Sequence, residues 1–163
     1  MWPFKKTVTV KVTPGPQDAE RRLWLAMRND KEYCRLMAEN GRLHEEVEAD
    51  YSVISTMGIQ SGPQLEAFIK KCNRALDTVE RLTPLWVKYR QELPTLCAPA
   101  KRLAMVYEKC GDYDHAAAVC LRAIKNGWTD DGTSGAMRGR LARLVKKGGL
   151  PVTPEIQDAL AIK

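Results

Sequence analysis

Between Gln17 and Lys147 apolar residues recur three and four positions apart, and the pattern is cut mainly by glycines and prolines. That spacing puts apolar side chains on one face of a helix of 3.6 residues per turn, so the chain is restricted to packing helix on helix. Only one stretch has the other period. Thr7-Val-Thr-Val-Lys-Val12 alternates strictly and places Val8, Val10 and Val12 on one side of an extended strand, which Pro14-Gly15-Pro16 ends. The expected fold class is therefore all-α: a helical bundle or solenoid-like stack, with a short extended or flexible N-terminal arm over residues 1–16. A lone strand has unpaired backbone groups, so the arm is free, docks on the helical body, or pairs with a second copy and makes a homo-oligomer.

The breakers divide the rest. Pro16 suits a first helical turn, and Gln17 to Met27 reads as a helix with Leu23, Trp24 and Met27 to one side. Asp30 is an N-cap for a second helix to about Asn40, stopped by Gly41, and a third runs from Arg42 to about Met57. From Pro63 to Leu93 a long pattern carries Leu65, Phe68, Ile69, Cys72, Leu76, Val79 and Leu82. Pro84 lies inside it, which predicts a kink or break near Thr83. Residues 17–93 thus form a long-helix bundle. After the connector from Leu93 to Pro99 come two short helices, Pro99 to Cys110 and Asp114 to Asn126, joined at Gly111-Asp112-Tyr113. A basic closing helix from about Gly135 to Lys147, capped by Thr133 or Ser134, completes a second region over 99–147, and 148–163 is a tail with a short helix. Trp24, Trp86 and Trp128 sit among apolar residues and are expected in the core.

The segment from Pro99 to Gly127 carries Leu103, Ala104, Tyr107, Gly111, Tyr113, Ala116 and Ala123, whose small residues let two helix backbones approach. At these seven positions it resembles a tetratricopeptide repeat (TPR), over about 34 residues of the chain. The resemblance implies a non-catalytic adaptor or scaffold that binds another protein or a peptide in a groove, with Lys101, Met105, Glu108 and Lys109 on the lining positions of the first helix. In family members that bind a peptide carboxylate, a Lys and an Asn stand one turn apart; here Lys101 fits and Met105 departs. A step of 34 residues back from Ala104 and Tyr107 reaches Lys70 and Asn73, and forward Arg138 and Leu141, so one repeat is readable and its neighbours must cover its apolar face.

Net charge is +6, unevenly placed. Glu45, Glu46, Glu48 and Asp50 cluster in the front half; Arg138, Arg140, Arg143, Lys146 and Lys147 follow one another with no acid between them. On a helical wheel Met137, Leu141, Leu144 and Val145 share one side and the five cations cover most of the other. That surface suggests two alternatives to the adaptor. One is nucleic acid or another polyanion bound by the basic helix; the other is a small inhibitor of a nucleic-acid enzyme working through the 45–50 acids.

Catalytic and metal chemistry has little to stand on. His44 with Glu45 and Glu48 lacks the second histidine one turn on that a zinc-protease helix needs, and His115 and Cys120 diverge around their helix. No phosphate-binding glycine loop, nucleophile elbow or dinucleotide fingerprint is present. The expectation is no enzyme, no metal and no cofactor. Five cysteines without a C-x-x-C pair point to reduced thiols, and no run of about 18 apolar residues offers a membrane span. A cytoplasmic location with no membrane partner follows as the expectation.

Overall fold

The computed structural model describes residue 13 and residues 15–161. Among these there are seven helices and no strand: α1 (Pro16–Asn29), α2 (Lys31–Met57), α3 (Pro63–Lys88), α4 (Ala98–Lys109), α5 (Tyr113–Lys125), α6 (Ala136–Gly148) and α7 (Pro154–Ala161). The all-α expectation holds. The extended arm expected over Thr7 to Val12 lies outside the described residues.

Helix termini follow from the residues at them. Pro16 and Pro63 occupy first-turn positions, where the missing N–H is no loss. Asp30 caps α2 by accepting the Tyr33 N–H at 3.0 Å, and Asp112 caps α5 through the His115 N–H at 3.2 Å. Gly111, at φ +74°, makes the tight turn from α4 to α5 that a side chain would strain.

Gly41 and Pro84 do not end the helices that contain them. Gly41 does not stop a helix; it lies within α2, which runs 27 residues without a break. One glycine costs a helix interior only about 1 kcal/mol, and the buried stripe of Leu36, Leu43, Val47 and Ile54 continues across it. Pro84 does not break α3, which continues to Lys88. The turn before it is reinforced by Thr83, whose hydroxyl donates to the Val79 carbonyl at 3.0 Å. The α6 cap also differs: Gly135 takes that position without a side-chain bond, because Thr133 is turned back onto Asp131.

Helices stack as neighbouring hairpins. α2 packs along α3; α4 sits on both and pairs with α5; α5 packs on α6; α7 closes against α5 and α6. One continuous core runs from Leu36 to Ala159, so the two regions read from the sequence share a single interior. Leu103, Ala104, Ala116, Cys120 and Ala123 are fully buried where α4 meets α5. α6 comes equally close: a β-carbon on Gly148 would stand 2.6 Å from Cβ of Tyr113. Trp86 and Trp128 are in the core as expected, but Trp24 is half exposed, because α1 packs mainly on α2 and buries none of its residues.

Candidate functional site

The residues singled out on α4 do not line one groove. Met105 and Lys109 turn toward α2: the Met105 sulfur lies 4.0 Å from the Tyr51 hydroxyl, and Lys109 Nζ reaches Ser55 Oγ at 3.2 Å. Lys101 and Glu108, seven residues apart, share another side of α4. Lys101 Nζ lies against Gly132, 3.2 Å from where a β-carbon would be, and Glu108 faces α6.

The five cations of α6 are not a solvent-facing row either. Arg140 is buried, 7% exposed, and its guanidinium joins Asp131 Oδ2 at 3.0 Å to Glu108 Oε2 at 3.2 Å. Arg143 donates twice to Glu108 at 3.3 Å, with Lys147 Nζ 3.9 Å away. The wheel misassigned Arg140 because a helical projection cannot show that an acid on α4 and another in the preceding loop reach the same side. Burial alone would raise the Glu108 carboxyl, but the hydrogen bonds of Arg143 and the nearby charges of Arg140 and Lys147 outweigh it and hold the group below its usual range. Asp131, fully buried, has the same balance: desolvation is overcome by Thr133 and Arg140. Of the five, only Arg138 and Lys146 have no acid partner among the described residues.

The acidic cluster is likewise engaged from within. Glu46 pairs with Arg42 and Lys71, Asp50 with Lys71 at 2.6 Å, and Glu48 takes both ends of Arg102 at 2.8 Å. Arg102 also lies over the Tyr51 ring, 4.4 Å from its centroid. These contacts clamp α4 and α3 to α2. His44 sits beside the cluster with Nδ1 2.8 Å from the Asn40 carbonyl, and no group of three or more His, Cys, Asp or Glu is placed to hold a metal among the described residues. Burial pushes the Cys97 thiol up to about 11 and that of Cys120 up to about 12, so neither is a ready nucleophile.

A large concavity lies elsewhere. An open cleft of about 710 Å³ is walled by Tyr33, Met37, Asn40 and His44 of α2, by Val79 and Trp86 of α3, and by the connector from Gln91 to Cys97. Its framework is cross-linked by side-chain contacts. Asp30, already the α2 cap, accepts the Tyr89 hydroxyl at 2.6 Å, and the Tyr33 and Tyr89 rings meet edge to face at 5.4 Å, which ties the start of α2 to the end of α3. These bonds hold the Asp30 carboxyl below its ordinary value, the Tyr33 amide contributing most. Met37, Leu93 and Leu96 remain more than a third exposed around the cleft, an unusual place for three large apolar side chains. A second hollow of about 460 Å³ adjoins at Gln91, between α1 and the Tyr89 to Gln91 turn.

Sequence reasoning missed the cleft, since its walls come from segments about 50 residues apart. The available signal was in the connector, where Leu93 and Leu96 are apolar residues outside any helical stripe. No helix among the described residues is long and apolar enough to cross a membrane. No family model matches the chain, and neither does any curated protein or solved structure.

Proposed function

We propose that the chain is a non-catalytic protein-interaction module, an adaptor that holds a segment of another protein, in keeping with the TPR-like character of the α4–α5 hairpin. The observation that carries this reading is the cleft between α2 and the connector: Met37, Leu93 and Leu96 stand uncovered beside a half-buried Tyr33 on a frame of long, mutually clamped helices. Interfaces are concentrated where such side chains are held rigid and ready to lose water. The stacked-hairpin arrangement supports it too, because successive helix pairs offer extended concave surfaces.

The nucleic-acid alternative draws less from the geometry. Three of the five α6 cations already face Glu108, and of the 45–50 acids that an inhibitor would present, Glu46, Glu48 and Asp50 are paired with Arg42, Lys71 and Arg102. Affinity purification from the native cell separates the surfaces. A partner recovered by the unaltered chain should be lost with Met37→Glu and Leu96→Glu together and kept with Lys101→Glu and Lys109→Glu. Retention by the cleft variant, with its helical content intact, contradicts the reading.

A further inference from the structure

We infer that the cleft takes an extended, basic peptide segment whose backbone pairs with the connector while alternate apolar side chains enter between α2 and α3. This deepens the interaction-module reading and rests on it. The first observation is the connector itself. Leu96 forms an isolated parallel bridge with Asp130, the Asp130 N–H donating to the Thr95 carbonyl at 2.9 Å, so the end of the connector already makes one strand-type contact. Among the described residues the amides of Glu92, Leu93 and Thr95 and the carbonyls of Gln91, Glu92 and Leu93 have no protein partner. A non-helical backbone with unused donors and acceptors beside an apolar cleft is open to strand addition. Pro94 supplies no N–H, so the pairing is short and needs side chains to strengthen it.

The opposite wall supplies those contacts. Tyr33, half-buried, gives a flat edge and the exposed Met37 an adaptable one, suited to side chains arriving from alternate positions of an extended peptide. Asn40 adds a polar feature: its carboxamide oxygen is buried with no hydrogen-bond partner, an unmet acceptor that a rotation of the amide offers to an incoming N–H. Charge sets the peptide's sign. No lysine or arginine lines the cleft, while Glu92 is exposed on its rim with no ion partner among the described residues, so cationic residues are favoured over acidic ones. A compact small molecule of the same volume would leave the connector's backbone groups unpaired.

The test uses the full chain and labelled synthetic peptides followed by fluorescence anisotropy: one of alternating Val and Thr flanked by Lys, one flanked by Glu, and one with Pro at its centre. Saturable binding is expected for the Lys-flanked peptide, at least about tenfold weaker for the Glu-flanked one, and none for the Pro peptide, which cannot complete the pairing. Glu92→Lys should reverse the preference between the charged peptides, and Met37→Glu should abolish binding, both with unchanged circular dichroism. No saturable binding, or binding indifferent to proline and to Glu92→Lys, overturns the inference. If a native partner is still lost on the cleft substitutions while all three peptides fail, the extended-peptide chemistry falls and the interaction-module reading stands.

Discussion

The α4–α6 block and the α2–connector side of the molecule were built by opposite means. Between α4, α5 and α6 the contacts are small residues: Ala104, Ala116 and Ala123 are fully buried, and Gly148 lets Tyr113 approach a helix backbone. The charges there turn inward onto Glu108 and Asp131. Along α2 and the connector the residues are large, and Met37, Leu93 and Leu96 remain uncovered. The difference shows that a cluster of charge in sequence need not make a free charged surface, because the fold can supply counter-charges from distant segments.

The sharpest way to break the first region is through its buried guanidinium. Asp131→Asn removes one of the two carboxylates on Arg140 and weakens the Thr133 turn; a loss of about 3 kcal/mol in urea unfolding is expected, since a buried charge is left half compensated. Adding Arg140→Met to it should recover part of that loss, because no half-compensated guanidinium is then left buried. A smaller effect tests the close approach: Gly148→Ala places its new carbon against Tyr113 and should cost about 2 kcal/mol through overpacking.

Acid should act on the same network. Glu108 and Asp131 are held below their ordinary values of 4.5 and 3.8, so the stability they contribute is fully present above those values and is lost as pH falls through their lower folded values. Thermal unfolding is therefore expected to be flat from neutral pH to about 5 and to drop below about 4, with Glu108→Gln flattening that acid limb. The smallest effect belongs to the second region. Gly41→Ala meets nothing within 4 Å on the exposed side of α2 and should stabilise by about 0.5–1 kcal/mol, the gain of a better helix former.

What could be read from the sequence divides along the same line. Local rules found the α4–α5 hairpin, because Gly111, Asp112 and the alanines act within a few residues of each other. They failed at Gly41 and Pro84, where tertiary packing of long helices outweighs one unfavourable residue. Arg140 was misplaced for a related reason: its partners are 9 and 32 positions away. The cleft was illegible because Tyr33 and Met37 meet Trp86 and Leu96 only after α2 and α3 have packed, and Trp24 was read as core although α1 packs mainly on α2 and buries none of its residues.

The most direct test of where this protein works is amide hydrogen exchange on the chain alone and bound to a partner isolated from its own cell. Slower exchange confined to residues 33–44 and 91–97, with residues 136–148 unchanged, is the predicted result. Protection centred on residues 136–148, with the cleft unaffected, would contradict it.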